Sequence, residues 1–329
     1  MSTDAVLLDV RDVSVSFPVG GMLRRKMMQA VAGASFTVSA GETLGLVGES
    51  GSGKSTLARV LLGLERPSAG SVTTTFPPRA TTGERRSPAR IQVVFQDSEA
   101  ALDPRMTVLD SVAEPLRAFG VSKREAHGEA VEWLNRVGLP TWQHDKYPRQ
   151  LSGGQRQRVC IARAVIGRPD VLVADEALSA LDVSLQAQLV ELLAELRVDL
   201  NLAMVFISHD LSIVRHVAET VGVMYLGRLV EYGPTAAVFN DPHHPYTKAL
   251  LASVPDPDIP IAERFQLQGE MPSALTPPSG CVFRTRCPLA RARCAEAMPE
   301  PRPGVVGGHW ARCFFSDEVR RLDSMPDAV

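Results

Sequence analysis

The chain has 329 residues, 45% of them hydrophobic and 22% charged, with a formal net charge of -2. That length holds one large domain or two ordinary ones, and a charge so near zero gives no electrostatic reason to bind nucleic acid. No apolar run reaches the roughly eighteen residues that a spanning helix needs. The start "MSTDAVLLDVRDVSV" has acidic residues where a secretory leader would have basic ones. The expectation is a chain that stays in the cytoplasm, where its five cysteines are mostly reduced.

In chain order, "ETLGLVG", "RIQVVFQ", "VLVADE" and "AMVFISH" each read as a short buried strand ending in polar residues. Helical patterns lie between them. The clearest is "SLQAQLVELLAELRVDL", where Leu185, Leu189, Leu192, Leu193 and Leu196 share one face. Alternating strands and helices predict a mostly parallel α/β sheet, with ligands beyond the carboxyl ends of its strands. Residues 97–160 lack strand runs and are expected to form a helical insertion. The polar, Pro-rich stretch 73–90 reads as a surface loop. The basic run Arg24, Arg25 and Lys26 reads as an exposed loop, with anionic lipid or a membrane partner as the other reading. Past about residue 241 prolines become dense and helical periodicity fades, so residues 241–329 are expected to be a module appended to a domain of residues 1–240. No internal repeat is visible.

"GESGSGKST", Gly48 to Thr56, fits G-x-x-x-x-G-K-[ST] between a strand and a helix. Gly48, Gly51 and Gly53 let the backbone wrap a phosphate, and the intervening Glu49, Ser50 and Ser52 contribute inward N–H groups. The helix that follows offers its positive end to the anion. Lys54 supplies a point charge to the outer phosphates, Ser55 a hydroxyl to Mg²⁺, and Thr56 continues the helix start. "VLVADE" adds a second carboxylate site. Asp175 is placed to hold Mg²⁺ through water, and Glu176 to orient and polarise an attacking water. Alone, a strand ending in two acids is usually just a solvated strand end.

"LSGGQRQR", Leu151 to Arg158, is a second glycine-containing loop opening a helix. With the motifs above, it makes the chain resemble the ATP-binding-cassette ATPases over about its first 240 residues. The resemblance implies a P-loop NTPase fold with a helical subdomain at about 97–160. It also implies a dimer that sandwiches ATP. In that dimer Ser152, Gly153, Gly154 and Gln155 of one subunit face the γ-phosphate held by the other. By the same resemblance, Gln96 senses Mg²⁺ and the attacking water and links to the membrane subunit. Asp182 in "SALD" communicates across the dimer, His209 in "FISHD" contacts the γ-phosphate, and Phe17 stacks on adenine. A lone histidine is more often structural, and a Phe near a strand end is often core.

"FQDSEAALDPRMTV", "YPRQLSGGQRQR", "SALDVSLQAQ" and "HPYTKALLASVP" narrow the resemblance to the oligopeptide/dipeptide importer ATPases, and within them to the second ATPase of a heterodimeric pair. This implies a peripheral subunit at the cytoplasmic face of the bacterial inner membrane that hydrolyses ATP to power peptide import. Its partners would be a sister ATPase, two transmembrane permease subunits and, indirectly, an extracellular binding protein. The permease is expected to dock just after Gln96, up to about residue 120. The same machinery importing nickel or another small solute is the alternative. Ser98 stands where proline is usual, and Ala177 and Leu178 where Pro-Thr is commoner. A soluble ABC protein of translation or repair would carry two cassettes or a coiled coil, and neither is present. A redox regulator with a vestigial ATPase would not need Glu176 and His209.

Cys160 reads as a buried apolar residue in the helix after "LSGGQ". Cys281, Cys287, Cys294 and Cys313 are separated by five, six and eighteen residues. Structural zinc sites favour tighter pairs, so the spacing fits zinc poorly. A solvated basic loop with unliganded thiols also stays open. The tail "PPSGCVFRTRC" and "HWARC" resembles that of related importer ATPases, in which four such cysteines hold a four-iron, four-sulfur cluster. In that reading Arg284, Arg286, Arg291 and Arg293 would offset the cluster's charge.

Overall fold

The computed structural model describes residues 5–20, 26–76, 90–179, 181–254, 269–304 and 306–319. Arg24, Arg25 and residues 77–89 of the polar loop lie outside these. The elements run β1 (Val6–Val19), β2 (Lys26–Ser39), β3 (Thr43–Val47), α1 (Lys54–Leu61), β4 (Ala69–Thr74), β5 (Ile91–Val94), α2 (Val108–Ala118), α3 (Lys123–Arg136) and α4 (Gly153–Val165). Then follow β6 (Val171–Asp175), α5 (Val183–Leu200), β7 (Ala203–Ile207), α6 (Leu211–Val217), β8 (Thr220–Tyr225), β9 (Arg228–Pro234), α7 (Thr235–Asn240) and α8 (Pro245–Ala252). The tail adds α9 (Ala292–Glu296), β10 (Arg302–Pro303), β11 (Trp310–Ala311) and α10 (Ser316–Val319). All four strands expected from the apolar runs are present as β3, β5, β6 and β7. No helix among the described residues is long and apolar enough to cross a membrane.

The chain divides into two compact units. The first comprises residues 1–8, 37–43 and 74–207. In it β5, β6 and β7 pair in parallel, with Val94 opposite Ala174 and Asp175 opposite Ile207. Strands covered on both faces need continuous apolar runs, and "VLVA" and "AMVFI" are buried along their whole length. The stretch 97–160 holds α2, α3 and the start of α4 and no strand. Its helix starts are written in the sequence as caps. Thr107, Ser122 and Ser152 accept from the amides of Asp110, Glu125 and Gln155, and Asp182 caps α5 through Leu185 N–H. On α5, Leu189, Leu192, Leu193 and Leu196 are buried as the spacing predicts, while Leu185 is half-buried. Cys160 is buried in α4, and burial pushes its thiol up to about 12.

The second unit comprises residues 9–36, 44–73 and 208–329. Here β3 pairs in parallel with β8, β8 antiparallel with β9, and β9 antiparallel with β11. The tail therefore does more than follow the sheet: Trp310 sits opposite Tyr232 and stacks on its ring at 5.9 Å. Beneath this pairing Glu231 is fully buried. Its carboxylate accepts from the amides of His243 at 2.7 Å and His244 at 2.9 Å, and from His309 Nε2 at 2.8 Å. A charge so buried persists only where donors saturate it. The "HHPY" turn and the far tail thus share one carboxylate. Burial holds His244 neutral, its pKa lowered to about 3, and its Nδ1 accepts from Tyr246 N–H.

Glu231→Ala would leave three buried donors unpaired. Chemical denaturation is expected to show a loss of about 3–5 kcal/mol, with Glu231→Gln losing less because its carbonyl oxygen still accepts.

Candidate functional site

In the second unit the phosphate loop leaves the end of β3. Its backbone is left-handed at Gly48, Gly51 and Gly53. Two of these positions admit no side chain: a Cβ on Gly48 would lie 2.2 Å from the Met224 carbonyl oxygen, and one on Gly53 2.3 Å from that of Ala30. The loop closes through Ser52 N–H to Glu49 O at 3.2 Å and is tied to the β8–β9 turn through Gly227 N–H to Ser52 O at 2.8 Å. No side chain caps α1 at Gly53, so the first-turn amides keep their capacity for an anion. Ser55 and Gly51 are exposed, Thr56 is half-buried, and Ser52 Oγ is buried with no hydrogen-bond partner among the described residues. Lys54, 4% exposed, donates to the carbonyls of Gly48 at 2.7 Å and Glu49 at 3.0 Å. Its ammonium is thereby held over the loop. Such a donor set suits a nucleotide's phosphates. Glu49 departs from expectation, because its N–H is given to the Tyr246 hydroxyl at 2.8 Å.

His209 lies in the same unit and is exposed. The residue before it, Ser208, donates its N–H to Leu46 O at 3.2 Å, which brings His209 out at the β3 edge from which the loop departs. Phe17 is half-buried in β1.

The first unit gathers the other polar groups at the carboxyl edge of its parallel strands. Asp175 is the last residue of β6. Glu176 follows with φ 48, a left-handed conformation that a non-glycine residue rarely holds, and its N–H is fixed on Ile207 O at 3.0 Å. Strain of this kind concentrates at functional sites. Gln96, exposed after β5, donates to Ser179 Oγ at 3.2 Å, and Ser179 donates on to the Glu176 carbonyl at 3.0 Å. Ser179 was not singled out in the sequence. Its only signal is a serine three residues after Glu176, the spacing of a side chain that returns to a turn carbonyl.

The "LSGGQ" segment forms the start of α4. Ser152 and Gln155 make a reciprocal capping box, Gln155 N–H to Ser152 Oγ at 3.3 Å and Ser152 N–H to Gln155 Oε1 at 2.9 Å. Ser152 is exposed, Gly153 half-buried and Gly154 buried, so the helix start opens to solvent. Asp182 is likewise exposed.

The four tail cysteines lie in the second unit. Cys281, Cys294 and Cys313 are buried and Cys287 is partly so. The backbone ties Cys281 N–H to Cys294 O at 2.8 Å. Burial raises the thiol of Cys281 and pushes Cys287 and Cys313 up to about 12, and the nearby tail thiols add to each shift. Backbone amides oppose it: those of Phe283 and Arg284 favour the Cys281 thiolate, Leu289 that of Cys287 and Phe315 that of Cys313, the last with its nitrogen 3.4 Å from the sulfur. This sulfur-rich donor set has the chemistry of a soft-metal site. Against that, no group of three or more His, Cys, Asp or Glu among the described residues is placed to hold a metal ion. The arginines also depart from expectation. Arg286 pairs with Glu49, Arg291 with Glu318, and Arg293 lies over the Phe314 ring. Arg284 donates to Ser279 O, and its charge favours the Cys281 thiolate.

Comparison with known proteins accounts for both regions. The family described as "ABC transporter" matches residues 31–179, and "Oligopeptide/dipeptide transporter, C-terminal region" matches 230–294. The oligopeptide transport ATP-binding protein AppF of Bacillus subtilis is 45% identical over 94% of this chain and 97% of its own. OppF of Salmonella typhimurium, an oligopeptide transport ATP-binding protein, is 43% identical over 89% and 92%. The dipeptide transport ATP-binding protein DppF of Escherichia coli is 42% identical over 95% of each. Among solved structures, the dimeric ATP-binding cassette MJ0796 with ADP and Pi matches with TM-score 0.60 at 27% identity, over 70% of this chain and 99% of that one. CbiO1 of Clostridium perfringens matches with TM-score 0.62 at 27% identity, over 72% and 92%. With the likeness running through cassette and C-terminal region alike, the chain belongs to the family of ATP-binding subunits of oligopeptide and dipeptide ABC transporters.

Proposed function

We propose that the chain couples ATP hydrolysis to the import of peptides. The observation that carries this reading is the extent of the likeness, 42–45% identity to oligopeptide and dipeptide transport ATP-binding proteins across the cassette and the tail together. As a member of this family it is an ABC ATPase that uses ATP and Mg²⁺ and works with membrane permease subunits as part of an ATPase dimer. The finer assignments are that the chain is the second ATPase of a heterodimer with a sister ATPase and that an extracellular binding protein delivers the cargo. They include attachment at the cytoplasmic face of the inner membrane, a domain boundary near residue 240, and permease docking just after Gln96, up to about residue 120. Exposed Asp97 and Glu99 support that last placement.

In this reading the loop amides and Lys54 bind the β- and γ-phosphates, and Phe17 stacks on adenine. Ser55, Gln96 and Asp175 would hold Mg²⁺, which would offset the charge of the phosphates. Glu176 takes the proton of the attacking water, with its backbone fixed by Ile207 and Ser179. His209 contacts the γ-phosphate. Ser152, Gly153, Gly154 and Gln155 of the partner subunit close over that phosphate, and Asp182 carries the contact across the dimer. For Ser152 to do so its hydroxyl must share or leave the cap on Gln155.

The tail cysteines are proposed to bind a four-iron, four-sulfur cluster. The four-thiol set, its burial and the amides facing three of the sulfurs support this.

Glu176→Gln is expected to keep ATP binding and lower steady-state hydrolysis by about 10²–10⁴-fold, read by phosphate release; near-native turnover would remove the role given to Glu176. Protein purified without oxygen is expected to hold about four iron and four sulfide per chain, lost in Cys281→Ser. Because raised thiols must lose protons to bind metal, loading should strengthen as pH rises. Zinc near one per chain, or neither metal, would overturn the cluster.

A further inference from the structure

We infer that Arg286 and Tyr246, from the C-terminal region, are positioning residues for ATP binding, acting on the phosphate loop through Glu49. Resting on the ATP-binding reading of that loop, the inference starts from one residue held by every polar group it has. The Glu49 N–H donates to Tyr246 Oη at 2.8 Å. Its carboxylate accepts from Arg286 Nη1 at 3.0 Å to each oxygen. Its carbonyl accepts from Lys54 Nζ at 3.0 Å. The ammonium that meets the phosphates therefore rests on a carbonyl whose own residue is fixed by the tail.

The fixing groups are buried and packed. Tyr246 is fully buried and the Arg286 side chain is 6% exposed. Tyr225, Tyr246 and Phe283 form an edge-on aromatic cluster with ring centres 4.7–5.4 Å apart, and the Arg286 guanidinium lies 5.8 Å from the Tyr225 ring. Tyr225 Oη also stands 3.5 Å from Arg286 Nη1. Phe283 and Arg286 lie between Cys281 and Cys287, so the clamp is part of the cysteine module itself. Charge adds a second reason. Glu49 places a carboxylate within the loop that must accept a multiply charged anion. Arg286 compensates it, at a position where an uncompensated carboxylate would oppose both the phosphates and the orientation of the loop.

The test uses the full-length protein and titration with a fluorescent ATP analogue, with thermal unfolding in parallel. Arg286→Gln is expected to weaken binding by about tenfold, Arg286→Lys by less than about threefold, and Arg286→Gln on a Glu49→Gln background by less than about twofold beyond the background. Native-like affinity in Arg286→Gln, or an equal loss in both backgrounds, would overturn the inference. Should Arg286→Gln fail to fold, Tyr246→Phe, which removes only the acceptor of the Glu49 N–H, is expected to weaken binding with its unfolding midpoint nearly unchanged; unaltered affinity there would equally overturn it. If the native protein binds no analogue, the ATP-binding reading itself fails. If the native protein and Arg286→Gln bind equally, only the clamp fails.

Discussion

The constraint on which the second unit depends is a loop with no room for a side chain at Gly48 or Gly53. Residues 48–53 must turn tightly enough to aim their amides at one point, and two of the glycines lie against backbone oxygens of β2 and β8 within distances that no Cβ tolerates. The loop is therefore built against its neighbours as much as it is built from its own sequence. The end of β3 launches it, the β8–β9 turn holds Ser52, and the tail holds Glu49. A loop assembled this way is preorganised for the phosphates proposed to bind it, because the groups that a ligand would otherwise have to order are ordered by packing.

The C-terminal region gains its stability by the same route. With few helical turns of its own, it lends β11 to the edge of β9 and shares the buried Glu231 carboxylate between the "HHPY" turn and His309. It also lends Phe283 to the cluster around Tyr225 and Tyr246. A small module buries too little apolar surface to stand alone, and these attachments offset that deficit. Their consequence is that a tail and a nucleotide loop more than two hundred residues apart in sequence share one hydrogen-bonded network.

Much of this was legible in the chain because the local physics is local in sequence. The strands showed as apolar runs, the helix starts as Thr107, Ser122, Ser152 and Asp182, and the phosphate loop as a glycine pattern between strand and helix. What lay out of reach depends on long separations. Glu49 pairs with a residue 237 positions away, and Tyr246 reaches back 197. Neither leaves a periodic or spacing signal. The four tail arginines were read together from their neighbourhood in sequence, yet the fold sends them to four different partners. Leu185, expected on the buried face of α5, sits half-exposed in the helix's first turn, where burial is incomplete.

The cargo proposed for this ATPase, peptide, is the part of the transport cycle that the chain itself never touches. The most direct test places it with its permease partners and binding protein in sealed membranes, supplies ATP on the ATPase side, and follows labelled dipeptides, oligopeptides and nickel in parallel. ATP-dependent accumulation of peptide without nickel is the predicted result. Nickel accumulation without peptide would contradict it.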